Sequence, residues 1–124
     1  MARILIIDDN APTRDILRQA LERAGHEVVE ASDGRGGIAR QQTMPAEVII
    51  TDILMPDREG FETIRELRRD FPTTGIIAMS GGGQIGCDPL LTMAERLGAQ
   101  CVFQKPFGLR DMLEAVHQLL QRQA

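Results

Sequence analysis

Five short runs of mostly branched aliphatic residues recur along the chain: ILII at Ile4–Ile7, VVEA at Val28–Ala31, VIIT at Val48–Thr51, GIIAM at Gly75–Met79 and CVF at Cys101–Phe103. A longer stretch with helical apolar spacing follows each of them. Strand-length runs that alternate with helical stripes bury both kinds of surface as βαβ units, whose crossovers lay helices on the two faces of a parallel sheet. The runs are nearly continuous in apolar character, as strands covered on both faces require. The reading is an α/β domain of five βα units.

The helices between the runs have recognisable starts and stops. Ile16, Leu17, Ala20, Leu21 and Ala24 form the stripe of the first, with Asn10 as N-cap, Pro12 in the first turn and Gly25 as its end. Ile64, Leu67 and Phe71 mark the third, stopped by Pro72. Leu90, Leu91, Ala94 and Leu97 mark the fourth, ended by Gly98; Leu109, Met112, Leu113, Val116 and Leu120 mark the fifth. The segment GRGGIARQQTM, Gly34–Met44, carries three glycines. Each glycine costs about 1 kcal/mol against alanine in a helix interior, so the second helix is expected to be short or mobile.

The chain has 124 residues, which suits one domain, and residues 1–124 are read as that domain. A net charge of −4 excludes a phosphate-backbone binding surface, so no direct nucleic-acid partner is expected. No apolar run reaches the roughly 20 residues of a membrane span, so no membrane partner is expected either. MARILIIDDN has no small-residue cleavage site and reads as a first strand. Cys87 and Cys101 have no metal-ligand spacing and read as reduced thiols of a cytoplasmic protein. His26 and His117 read as ordinary exposed histidines, and Arg65, Arg68 and Arg69 as a solvated face.

In a parallel α/β sheet, ligands gather beyond the carboxyl ends of the strands. The residues there are Asp8, Asp9 and Asn10 after the first run, Asp52 after the third, Ser80 and Gly81 after the fourth, and Lys105 after the fifth. Taken singly, each has a plain explanation as a turn, a cap or a surface charge. Together they bring three carboxylates, a hydroxyl and an ammonium to one edge. Lys105 is also the only lysine beside thirteen arginines, a compact point charge where a planar fork was otherwise preferred. Three converging carboxylates repel unless a cation or proton is shared, and an all-oxygen set favours a hard ion such as Mg²⁺. A metal, a nucleophilic carboxylate, a lysine and a hydroxyl suit transfer of a phosphoryl group onto an aspartate. Lys105 would then meet a phosphoryl oxygen, or Asp52 in the empty site.

From Arg3 to about Leu120 the chain resembles the receiver domain of bacterial two-component response regulators. The resemblance is carried by IIDDN, by DILMPDREGFE with Met55, Pro56 and Gly60, by the serine of AMSG, by LGA and by KPF. It implies a flavodoxin-like, doubly wound (βα)5 sheet of order 2-1-3-4-5 and a cis Lys105–Pro106 peptide bond. It further implies Asp52 as phosphoacceptor; Asp8, Asp9, Asp52 and the Leu54 carbonyl as Mg²⁺ ligands; and Ser80, Gly81 and Lys105 as phosphoryl contacts. The donor would be a histidine kinase or histidine phosphotransfer protein docking on the first helix around Pro12, Arg14, Asp15 and Arg18. The domain would then signal through a conformational change to a downstream protein. It would not be an enzyme, beyond self-phosphorylation and at most autodephosphorylation.

Two departures from the family pattern shape the expected switch. Val102 stands where the family usually has an aromatic ring that rotates, and SGGGQIGCDP is a longer, glycine-rich loop after the fourth strand. The switch is therefore expected in Gly81, Gly82, Gly83 and the residues to Asp88, beside Val102. The alternatives are a receiver cut from the N-terminus of a longer regulator, or an aspartyl-phosphate phosphatase. The phosphatase needs a second acid two residues beyond the nucleophile, where this chain has Leu54.

Overall fold

The computed structural model describes residues 2–53, 59–81 and 89–123. Strands β1 (Arg3–Ile7), β2 (Glu27–Ala31), β3 (Val48–Asp52), β4 (Gly75–Ser80) and β5 (Cys101–Gln104) alternate with five helices. These are α1 (Ala11–Arg23), α2 (Gly34–Thr43), α3 (Glu59–Asp70), α4 (Pro89–Leu97) and α5 (Leu109–Gln123). All pairings are parallel and the sheet order is β2-β1-β3-β4-β5. This is the doubly wound, flavodoxin-like arrangement.

Successive side chains of a strand point to opposite faces, which divides the core in two. Leu5, Ile7, Ile49, Ile76 and Ala78 pack on one face with Ile64, Leu67 and Ala94 of α3 and α4. Ile4, Ile6, Val48, Ile50, Ile77 and Met79 pack on the other with Leu17 and Leu21 of α1 and with Met112, Ala115, Val116 and Leu119 of α5. Fully burying one such aliphatic side chain contributes about 1.5–3 kcal/mol. The central strands β3 and β4 are buried throughout, whereas the edge strands β2 and β5 are only partly covered.

Each strand is one residue longer than its apolar run, β1 and β2 at the start and β3, β4 and β5 at the end. β3 includes Asp52 and β4 includes Ser80 because the ladder continues there, with Asp52 opposite Met79 and Ser80 opposite Gln104. Both polar residues thus sit on the strands themselves. In α1 the Asn10 side chain accepts from the Thr13 N–H at 2.9 Å, and Gly25 follows with φ of 94°. Ile16, expected in the α1 stripe, is 53% exposed, and Leu109 of α5 also faces solvent. Leu17 and Leu21 carry the buried contact of α1, and Met112, Ala115, Val116 and Leu119 carry that of α5.

The second helix is not cut short by its glycines. It runs for ten residues from the Asp33 N-cap, whose carboxylate accepts from the Gly36 N–H at 2.7 Å. Gly37 packs closely on the sheet, since a methyl group there would lie 2.3 Å from Ile7 Cδ1 and would require the Ile7 side chain to shift. Buried Gln41 closes the helix end by bonding both the N–H and the carbonyl of Ala46, at 2.8 and 3.0 Å.

Candidate functional site

The strand order places β1 beside β3, with β4 and β5 following, so residues far apart in sequence end at one sheet edge. Asp8 and Asp9 follow β1, Asp52 ends β3, Ser80 ends β4 and Lys105 follows β5. One carboxylate oxygen from each of Asp8, Asp9 and Asp52 lies within 4.8 Å of the others. Asp8 is fully buried and Asp52 nearly so, while Asp9 stands at the exposed rim.

Lys105 bridges the two buried carboxylates. Its Nζ donates to Asp8 Oδ2 at 2.9 Å and to Asp52 Oδ2 at 3.3 Å. The nearer partner is Asp8, not the Asp52 that the sequence suggested. Burial is the largest single influence on the ammonium and pulls its pKa down. The hydrogen bonds and charges of Asp8 and Asp52 together outweigh it, so Lys105 sits above the ordinary lysine range and is charged at neutral pH. One ammonium among three carboxylates leaves the cluster negative. An all-oxygen, negatively charged donor set with one exposed member fits a hard divalent cation such as Mg²⁺.

Ser80 is fully buried, and its Oγ has no hydrogen-bond partner among the described residues. Buried hydroxyls are nearly always paired, which sets this one apart from the other polar groups of the sheet edge. The Lys105 N–H donates to the Ser80 carbonyl at 2.8 Å, tying the ends of β4 and β5 together. Gly81 is exposed, and a methyl group there would rest 3.5 Å from Lys105 Cδ. The Lys105–Pro106 peptide bond is cis.

The turn that carries Asp8 and Asp9 is held from several sides. The Asp8 N–H donates to the Ala31 carbonyl at 3.1 Å, and the Asn10 N–H to Asp8 Oδ1 at 2.8 Å. Arg14 Nη1 donates to the Asp8 carbonyl at 2.7 Å, while its Nε pairs with Glu30 Oε1 at 3.2 Å. Arg18 Nε reaches Glu30 Oε2 at 3.4 Å and the same guanidinium pairs with Asp15 and Glu22. Of the residues assigned to docking, Pro12 and Asp15 are exposed, Arg18 is half-buried in these ion pairs, and Arg14 turns inward. The sequence offered one signal for the missed Arg14–Glu30 contact, the polar residue that interrupts the apolar run of β2.

Val102 is half-buried against the α2–α4 face and Phe103 packs on the opposite face, its ring 5.7 Å from that of Phe107. Leu54, Gly82, Gly83 and the remaining loop to Asp88 lie outside the described residues. Two expectations are corrected. Arg68 is not solvated: it donates to the carbonyls of Pro72, Thr74 and Gly98 because it plugs the junction of α3 with the start of β4 and the end of α4. His26, directly before β2, is half-buried, and its Nδ1 has no hydrogen-bond partner among the described residues.

Residues 4–117 match the response regulator receiver domain family. The chain is 31% identical over 118 residues to the chemotaxis protein CheY of Thermotoga maritima, covering 94% of this chain and 96% of that one. It is 34% identical over 129 residues to a probable transcriptional regulatory protein of Picosynechococcus, covering 98% of this chain but spanning 50% of that relative's length. Among solved structures, a CheY-like receiver domain protein from Methanospirillum hungatei superposes with a TM-score of 0.90 at 29% identity, over 99% of this chain and 96% of the other.

Proposed function

Because the chain belongs to the response regulator receiver domain family of two-component systems, we propose that Asp52 accepts a phosphoryl group from a phosphohistidine on a histidine kinase or histidine phosphotransfer protein. The observation that carries this reading is the convergence of Asp8, Asp9 and Asp52 on one edge with Lys105 bridging two of them. Asp8, Asp9 and Asp52 would hold Mg²⁺, with the Leu54 carbonyl as a further donor. Bound there, the ion supplies charge neutralisation for the incoming phosphoryl oxygens.

A carboxylate oxygen of Asp52 attacks phosphorus in line, the phosphorus–nitrogen bond breaks, and the donor imidazole leaves with the electron pair. Lys105 leaves its bond to Asp52 for a phosphoryl oxygen, and the Ser80 hydroxyl donates to another. The donor carries the energy of the reaction, so this domain is a phosphoacceptor and not a catalyst acting on other molecules. The acyl phosphate then biases the sheet edge and its loops towards a second conformation read by a downstream protein. An output domain in the same chain is the alternative, suggested by the relative of twice this length. The family match lends no support to an aspartate phosphatase.

Incubation with acetyl phosphate and Mg²⁺ followed by intact-mass measurement tests the assignment. One phosphoryl group should be added, none without Mg²⁺, and none in Asp52→Asn. Unchanged uptake in Asp52→Asn, mapped to another residue, refutes Asp52 as the acceptor.

A further inference from the structure

Arg14 is half-buried at the start of α1 and is engaged at two separate points by two different nitrogens. Nη1 holds the Asp8 carbonyl at 2.7 Å, and Nε holds Glu30 Oε1 at 3.2 Å. The Asp8 carbonyl belongs to the peptide that links the two acidic residues, so its direction determines where the Asp9 carboxylate is aimed. Asp9 is the exposed member of the cluster. Asp8, in contrast, is fixed by its own burial and by Lys105. We infer that Arg14 is a positioning residue for the cation site: its guanidinium spans from Glu30 on β2 to the Asp8–Asp9 peptide and orients that peptide so that the Asp9 carboxylate joins those of Asp8 and Asp52.

The charge of Arg14 by itself would oppose a cation, since it adds a positive group close to the carboxylates. Its usefulness must therefore come from geometry, and geometry is what a rigid fork with several donors supplies. Glu30 is the natural anchor, because in the β1–β2 register it lies opposite Ile6, two residues before Asp8. Its other oxygen is taken by Arg18, which keeps the carboxylate from swinging away. Neighbours that orient metal ligands commonly alter affinity about tenfold or more when lost. This inference rests on the reading of the carboxylate cluster as a Mg²⁺ site.

The variant Arg14→Lys isolates the positioning effect, because it preserves charge and helix propensity while removing the two-point fork. Mg²⁺ would be titrated into wild type, Arg14→Lys and Arg3→Lys, with the Asp8, Asp9 and Asn10 amide shifts and calorimetry as readouts. Arg3 pairs with Glu27 on β2 from the far end of β1 and serves as the matched control. Arg14→Lys should bind Mg²⁺ about tenfold more weakly, with displaced Asp9 and Asn10 amides before any ion is added, and Arg3→Lys should bind as wild type. Wild-type affinity in Arg14→Lys, or an equal loss in Arg3→Lys, overturns the positioning role and leaves the metal site standing. Absence of any Mg²⁺ response in the wild-type protein overturns the metal-site reading and this inference with it.

Discussion

At the scale of single residues, a side chain's chemistry here is decided by the partner that reaches it. Ser80 and Lys105 were legible as candidates because they fall together with three aspartates at the carboxyl ends of the strands, where each taken singly would read as a turn hydroxyl or a surface charge. Their states were not legible: that Lys105 lies nearer Asp8 than Asp52, and that Ser80 Oγ has no partner among the described residues, are matters of distance. His26 shows the same limit, because its place beside Gly25 in a polar turn gave no hint of burial. That burial, the main cause, lowers the His26 pKa below the ordinary value of about 6.5. The unfolded chain therefore takes up the proton first as pH falls, so stability holds above about pH 6.5 and declines on acidification below it. Urea unfolding at pH 8 and pH 5.5 should show a smaller acid loss in His26→Gln than in wild type, and equal losses would exclude His26 as a contributor.

At the scale of elements, glycines that look like helix breakers are contact points. Gly60 lies in the first turn of α3, where a methyl group would sit 2.4 Å from Ile53 Cα and 2.5 Å from the Ile53 carbonyl oxygen. Backbone cannot give way as a side-chain tip can, and Ile53 directly follows Asp52. Helix propensity alone would make Gly60→Ala stabilising by up to about 1 kcal/mol. Overpacking of this kind costs about 1–3 kcal/mol, so the substitution should destabilise the fold in urea melts and shift the amide of Asp52. A more stable Gly60→Ala protein would show that α3 can move off β3 freely. The strand bounds carry a parallel lesson, since an apolar run marks where a strand is covered while the hydrogen-bond ladder decides where it stops. That is why Asp52 and Ser80 belong to β3 and β4 and not to the loops after them.

At the scale of the whole molecule, the site is also a structural joint, because Lys105 bridges two buried carboxylates that come from the centre of the sheet and offsets part of their charge. Removing one partner of a buried ion pair typically costs about 3–5 kcal/mol. Lys105→Met should therefore lose about 3 kcal/mol or more in metal-free urea unfolding. Added Mg²⁺ should restore part of that loss, since a ligand that binds only the folded state stabilises it by mass action. A variant as stable as wild type without Mg²⁺ would mean that the two carboxylates do not depend on Lys105. The sequence by itself determined the α/β class, the five βα units, the approximate strands and the residue types gathered at their carboxyl ends. All of these follow from local periodicity, from caps and from which side chains interrupt apolar runs. Only the tertiary structure decided which of those residues touch. Lys105 and Asp8 stand 97 positions apart and meet because the sheet order puts β1 beside β3 and closes β4 and β5 against them. The inward turn of Arg14, the exposure of Ile16 and the fit of Gly37 against Ile7 were decided the same way. Each depends on how closely two elements approach across the core, a distance that no local pattern in the chain records.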